Sequence, residues 1–223
     1  LHACGALNAS ALLAHATLLT SREIGLLRDS GAAVAYNPVA SQWKGNAVLD
    51  AGLIGMLGVP FGLGTDGTRA AGLRVRDAAE PTHRLTQGLA NGDSSWGGGW
   101  LWLDHATHRG AAAAGLGQRT GRIAEGLAAD FLLLDLDVPE FVPSWDLTWE
   151  LVRLANRDQI EAVFVNGALR LWKGWPLDWD ARALMREVSA IARRDVQRAP
   201  IQRVHPLADE PRARQSGRAA IRP

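Results

Sequence analysis

The chain has 223 residues, a formal net charge of +1 and 47% hydrophobic residues, the profile of a soluble globular protein with enough apolar material for one sizeable core or one and a half domains. The near-neutral charge argues against nucleic acid or an acidic membrane surface as a partner, and no apolar run nears the roughly 20 residues that span a bilayer. A single cysteine, Cys4, excludes an internal disulfide and a cysteine zinc cage. No basic stretch followed by a long apolar one marks a secretory leader, so a cytoplasmic location is expected. The chain begins with Leu1 inside what reads as the end of a helix, and a fragment lacking its amino-terminal portion is expected.

Ala11 to Ala14 is a short apolar run stopped by His15, which predicts a buried strand with a polar tip. Thr20 with Glu23 three residues later is a capping-box signature for a helix to about Ser30, stopped by Gly31. Ala32 to Tyr36 reads as the next strand, ended by Asn37-Pro38 and followed by a polar loop with Ser41, Gln42, Trp43 and Lys44. Helical periodicity runs from about Ala47 to Leu57, and Val59 to Thr65 is a third strand. Strand and helix alternating at this spacing predict parallel βαβ units.

The third strand is the most informative segment. Phe61-Gly62-Leu63-Gly64-Thr65-Asp66-Gly67 puts a carboxylate at the carboxyl end of a strand, just before a glycine turn. In an α/β barrel that end carries the chemistry. An aspartate there is also a common turn former, so alone the motif is moderately specific.

Beyond Asp66, a loop with Arg69, Arg74 and Arg76 leads to a helix near Ala78–Leu89, with His83 expected on its solvent face. A Gly/Trp-rich loop from Asn91 to Gly99 follows. Gly97-Gly98-Gly99 lacks the preceding strand and the Lys-Ser/Thr of a phosphate loop. Trp100–Leu116 reads as one alanine-rich helix whose His105 and His108 share a face, more consistent with packing behind a barrel than with metal binding. Gly121-Arg122-Ile123 and Asp130 to Asp135 read as two strands, and Ile160–Val165, Asn166-Gly167 and Ala168–Trp172 as a hairpin. Asp180 to Gln197 reads as an amphipathic helix, and the Arg/Pro-rich tail from Arg198 is expected to be mobile. Trp145, Trp149, Trp172, Trp175 and Trp179 are expected to pack between the final strands and the barrel or a partner subunit.

Several of these motifs together resemble the carboxyl-terminal half of the amidohydrolase superfamily, in the branch of cytosine, guanine and triazine deaminases and chlorohydrolases. They are Leu13-Ala14-His15, Tyr36-Asn37-Pro38, Gly62 to Gly67, Ala106-Thr107 through Gly117, and Gly121-Arg122-Ile123-Ala124-Glu125-Gly126-Leu127-Ala128-Ala129-Asp130-Phe131. In the last of these, Leu127 stands where the family usually has lysine. The resemblance covers roughly residues 1 to 175 and each motif alone is weak; their order and spacing give it strength.

The resemblance implies an α/β fold: the last three strand–helix units of a (β/α)8 barrel plus part of a small β-sandwich. The implied division is barrel over residues 1–118, sandwich over 119–178, and terminal helix and tail over 179–223. The family's first metal-binding pair, His-X-His, and its next histidine ligand are not in this sequence, so the missing amino-terminal half of the same fold is an implied partner. A homodimer is an open alternative.

By resemblance, Asp66 is the carboxylate that ligates a divalent metal and takes a proton from the attacking water, and His15 hydrogen-bonds substrate and stabilises the developing anion. Zinc is the expected metal, with iron the alternative. Asn37, Ser41, Trp43 and Arg69 lie on segments expected to overhang the barrel mouth and contact substrate. Many relatives carry asparagine near Ser41, which leaves the substrate class open. Trp43 and Trp96 are candidates to stack on a flat heteroaromatic ring. The implied activity is hydrolysis of a non-peptide C–N bond, as a deaminase of a nitrogen heterocycle. Cyclic amide hydrolysis and dechlorination are alternative reactions, and a truncated, inactive interaction module is the rival from another class.

Overall fold

The computed structural model describes residues 1–45, 47–67, 71–93 and 95–200. Arg69, expected at the barrel mouth, and the tail segment 201–223, expected to be mobile, lie outside them. Two compact units divide the chain, Leu1–Asp178 and Trp179–Pro223.

The first unit opens with a three-stranded parallel sheet of β1 (Leu12–Ala14), β2 (Ala33–Tyr36) and β3 (Phe61–Leu63), in that spatial order. Ala14 pairs with Ala35, and Tyr36 with Leu63. The ladder continues one residue past the strands: His15 N–H donates to Ala35 O (2.9 Å) and Gly64 N–H to Tyr36 O (2.8 Å). The three carboxyl ends therefore stop level with one another on one rim.

Helix α1 (Ser21–Ser30) links β1 to β2 and has the capping box its sequence predicts, with Thr20 and Glu23 satisfying each other's backbone N–H groups. After β2 the chain enters α2 (Pro38–Lys44) directly, not the polar loop expected from composition. Pro38 sits in the first turn, where its missing N–H costs nothing and its fixed φ favours a helix. Helix α3 (Ala51–Met56), capped by Asp50 on Leu53 N–H, leads into β3.

Val34, Tyr36 and Phe61 on one face of the sheet form a core with Leu27, Ile54, Trp102 and Val152. Trp102 is fully buried and its indole N–H donates to Gly97 O at 2.7 Å. On the other face Leu12 is 52% exposed, whereas its neighbour Ala33 is buried.

Helix α4 (Gly72–His83) passes through a π turn, Arg84–Gly88, into the short α5 (Leu89–Asn91). Pro81 within it cannot donate to the helical ladder, a local reason for the irregular turn that follows. The single helix expected over 100–116 is two, α6 (Gly99–Ala106) and α7 (His108–Ala113). They break at Thr107, whose hydroxyl donates back to Leu103 O and whose backbone leaves the helical range (φ −122°, ψ −106°). The break lets α7 meet β3 backbone to backbone: a Cβ at Gly62 would lie 2.7 Å from Gly110 Cα.

Beyond α7, an antiparallel sheet runs in the order β4 (Phe131–Leu134), β5 (Ile160–Val165), β6 (Ala168–Trp172) and β7 (Trp175–Pro176). Asn166 and Gly167 both take positive φ in the predicted hairpin turn. Asp130 accepts the Asn166 N–H at 2.6 Å, so the end of the Gly121–Asp130 motif clamps that turn. The strand expected at Gly121-Arg122-Ile123 does not form, because Gly121 has φ +106° and Ile123 is exposed.

Helix α8 (Leu147–Arg153) is tied to α4 through buried Glu80, which pairs with Arg84 and Arg153. Trp145, Trp149 and Trp172 are exposed on this chain, with Arg153 over Trp149 and Lys173 over Trp172, so of the two expected settings for them the one against the parallel-sheet layer is not observed. The second unit contains α9 (Ala181–Arg198), capped by Asp180, with Leu184, Val188 and Ile191 along one exposed side. Among the described residues no helix is long and apolar enough to cross a membrane.

Candidate active site

His15 and Asp66 converge at the level rim of the parallel sheet. His15 Nε2 is 3.4 Å from Asp66 Oδ2, and the two side chains are about one-third exposed (35% and 30%). Both backbones lie in the left-handed region, His15 at φ +67° and Asp66 at φ +51°. Such non-glycine geometry costs on the order of 1–2 kcal/mol per residue and is characteristic of sites where direction matters more than comfort.

Each oxygen of Asp66 has its own partner. Gly67 N–H donates to Oδ1 at 2.6 Å, and Lys44 Nζ donates to Oδ2 at 3.4 Å. The Gly67 amide first, then the Lys44 hydrogen bond and charge, hold the Asp66 carboxyl below the usual carboxylate range. It is an anion at neutral pH.

Helix α2 organises the rest of the rim. Asn37 is its N-cap residue, buried at 5% exposure, with Nδ2 3.4 Å from His15 Nδ1. Ser41, also buried, lies one turn on, and Lys44 two turns from Asn37 on the same side. Lys44, expected only as part of a polar loop, is a site residue. Its signal is the seven-residue spacing from Asn37, visible only once Asn-Pro is taken as a helix start and not as a loop. Trp43 is 55% exposed and carries the Arg74 guanidinium 5.7 Å from its ring centre. Trp96, the other candidate for ring stacking, is committed elsewhere: it rests on His83 at 4.2 Å between ring centres.

His83, His105 and His108 are engaged in structural contacts. His83 is not on a solvent face but buried (5% exposed) between Trp96 and Trp102, because the face of α4 that carries it turns toward the core. His105 is buried too, stacked on Phe61 with its Nδ1 2.8 Å from Phe61 O. His108 pairs with Asp104 at 2.5 Å.

His15 and Asp66 are donors of the kind a divalent cation takes, an imidazole nitrogen and a carboxylate oxygen. They fit in kind but not in number. A catalytic zinc usually takes three protein ligands, and among the described residues no group of three His, Cys, Asp or Glu side chains could hold a metal ion.

Residues 1–170 match the family model described as the amidohydrolase family. The chain belongs to the amidohydrolase family. Among curated amidohydrolase-like relatives, a 5-methylthioadenosine/S-adenosylhomocysteine deaminase of Clostridium tetani is 30% identical over 175 residues, 78% of this chain and 41% of the relative. The adenosine deaminase of Xanthomonas campestris, solved with bound zinc, superposes with a TM-score of 0.79 at 26% identity, covering 86% of this chain and 44% of that one. The zinc-bound atrazine chlorohydrolase of Arthrobacter aurescens shares the fold, with a TM-score of 0.73 at 24% identity over 85% of this chain and 42% of that one. The chain spans about two fifths of the length of the curated relatives it matches (41%, 43% and 43%).

Proposed function

We propose that this chain carries one wall of a metal-dependent hydrolytic centre acting on a non-peptide C–N bond, that of a deaminase of a nitrogen heterocycle. The observation that carries it is the 3.4 Å approach of His15 Nε2 to Asp66 Oδ2 at the shared rim of three parallel strands. In this proposal residues 1–118 are part of a (β/α)8 barrel and residues 119–178 part of a composite β-sandwich. The donors that complete the metal centre come from outside these residues.

Asp66 is the metal-ligating carboxylate and the proton acceptor. Its ionised state, secured by Gly67 and Lys44, leaves it ready to take a proton from the attacking water. His15 stands across the rim as the donor to the substrate atom that gains electrons. A divalent cation, zinc in this reading, supplies acidified water and electrophilic activation when bound. Trp43, held under Arg74, offers a flat face to a heterocycle at the mouth. Asn37 and Ser41 act from beneath the rim, and Arg69 belongs to the same group by its place in the sequence.

The test is a chimera in which residues 1–178 replace the matched part of the Clostridium tetani relative. Ammonia, chloride and ring-opened acid are assayed with zinc supplied, on amino-purine nucleosides, chlorinated triazines and cyclic amides. Ammonia release that is lost in Asp66→Asn supports deamination. Chloride or ring-opened acid alone reassigns the reaction on the same scaffold. A folded, zinc-loaded chimera that yields none of the three products overturns the proposal in favour of a non-catalytic module. That no group of three His, Cys, Asp or Glu side chains among the described residues could hold a metal ion supports a narrower second reading, that the 223-residue chain by itself does not turn over.

A further inference from the structure

We propose that Asn37 is a positioning residue that fixes the neutral His15 imidazole with its proton on Nε2, and that Gly64 is the feature of the fold that allows it. The significance for catalysis rests on the function proposed above; the positioning itself does not.

The amide nitrogen of Asn37 is 3.4 Å from His15 Nδ1. An amide NH2 can only donate, so the ring nitrogen facing it must present a lone pair. A neutral imidazole then carries its single proton on Nε2. That N–H faces Asp66 Oδ2 at 3.4 Å, an oxygen that only accepts while the carboxyl is ionised. Donor meets acceptor at both ring nitrogens. The other tautomer would set N–H against N–H on one side and a lone pair against a carboxylate on the other.

The direction of the Asn37 carboxamide decides the outcome, and Gly64 governs it. Gly64 N–H donates to Tyr36 O, which sets residues 37 and 64 side by side across the β2–β3 ladder. A Cβ at position 64 would stand 2.0 Å from Asn37 Oδ1 and 3.4 Å from the Ala35 methyl. The carboxamide oxygen therefore lodges against the bare Cα of Gly64, and the amide nitrogen is left toward His15. Gly64 is not among the glycines with positive φ, so backbone conformation does not account for it; space does. Asn37 is 5% exposed, which denies the carboxamide a solvent-exposed alternative. The relay runs from a missing side chain, through a buried amide, to the orientation of a proton at the rim.

In the proposed hydrolase this leaves His15 one ring proton, on the nitrogen at the rim, held by Asp66 Oδ2 until a substrate atom takes its place, and makes His15 a donor there and not a base. Asn37 acts on substrate only through His15.

The test uses the 223-residue chain labelled with 15N at histidine. Long-range 1H–15N spectra are recorded at a pH where the His15 ring is neutral in each variant, and His15→Gln assigns the signal. Wild type is expected in the Nε2–H form. Asn37→Asp replaces a donor with an acceptor of the same size and is expected to turn His15 to the Nδ1–H form. Asn37→Ala and Gly64→Ala are expected to give the same mixed-tautomer signature, with the spectra of His83 and His105 unchanged. An Nδ1–H form in wild type, or a wild-type tautomer retained in Asn37→Asp, overturns the proposal. Asn37→Asp preserves side-chain volume and keeps the test available if Gly64→Ala does not fold. No turnover or cation enters the readout, so the expected tautomer with an inactive chimera sinks only the proposed function, and the opposite tautomer with an active chimera sinks only this relay.

Discussion

Lys44 Nζ and Asp66 Oδ2 are 3.4 Å apart across the rim, and the oxygen they share is the one that faces His15. The ammonium reaches it from the last turn of a helix whose first residues lie beside His15, so α2 spans the site from one side to the other. Lys44 is more than half exposed, and solvent screens the pair. Its effect is on the charge state of Asp66 more than on the stability of the fold.

Lys44→Met removes one of the two hydrogen bonds that lower the Asp66 pKa. The Gly67 amide, which has the larger influence, remains. The Asp66 carboxyl should therefore titrate at a higher pH than in wild type yet still below an ordinary aspartate. A pH titration of the Asp66 side-chain carboxyl 13C shift checks this, and an unchanged midpoint would mean that the lysine does not engage the carboxylate in solution.

The meeting of Gly62 and Gly110 predicts a steric effect on the fold. A methyl group at Gly62 would be pressed to 2.7 Å from the Gly110 Cα, a backbone atom that cannot rotate away. Gly62→Ala should destabilise the chain by about 1–3 kcal/mol, typical of overpacking a tight contact. Urea unfolding of the two proteins measures it, and equal midpoints would show that α7 does not sit against β3 at this distance.

Trp102 joins the sheet core to the loop before α6 through its ring and its 2.7 Å bond to Gly97 O. Trp102→Ala should cost about 3–5 kcal/mol, whereas Trp145→Ala, at a ring 88% exposed, should stay within about 0.5 kcal/mol of wild type. Chemical denaturation of both variants gives the comparison. Similar losses at the two positions would contradict the burial pattern.

Acid should weaken the fold through the two buried histidines. Burial lowers the His105 pKa despite the raising effect of the Phe61 carbonyl, and burial likewise lowers that of His83, where Asp50 and Asp93 raise it and Arg84 lowers it further. The folded state therefore binds these protons less readily than the unfolded state does. Their contribution is fully present above the unfolded value of about 6.5 and is lost as pH falls through the lower folded values. Unfolding midpoints should be level from about pH 7 to 8 and decline below about 6.5, with a shallower decline in His105→Asn. An unchanged acid slope in that variant would show that His105 is not the group responsible.

Local chemistry made much of this legible in sequence. The Thr20–Glu23 capping box, the Asn166-Gly167 hairpin and the place of His15 just past β1 depend on residues a few places apart, and each appears where its sequence puts it, whereas β3 stops at Leu63, short of the expected Thr65, and leaves Asp66 in the turn beyond. What escaped depends on neighbours remote in the chain. Polar composition hid α2 because Ser41 and Gln42 are polar yet face other elements, Gln42 donating to Thr82 Oγ1 on α4. His83 looks solvent-facing by its charged neighbours and is buried only because Trp96 and Trp102 close over it. The clearance that Gly64 provides for Asn37 is a two-strand property, invisible until β2 and β3 lie side by side.

The central claim, that His15 and Asp66 form one cation-directed rim, is tested most directly by titrating cobalt(II) into the 15N,13C-labelled chain and mapping paramagnetic broadening. The account predicts broadening centred on Asp66 and Gly67 and reaching His15 across the 3.4 Å between the two side chains, with weak affinity because Asp66 is the single assigned ligand, and its loss in Asp66→Asn. Broadening centred on the His108–Asp104 pair, or a pattern at the rim that survives Asp66→Asn, would contradict it.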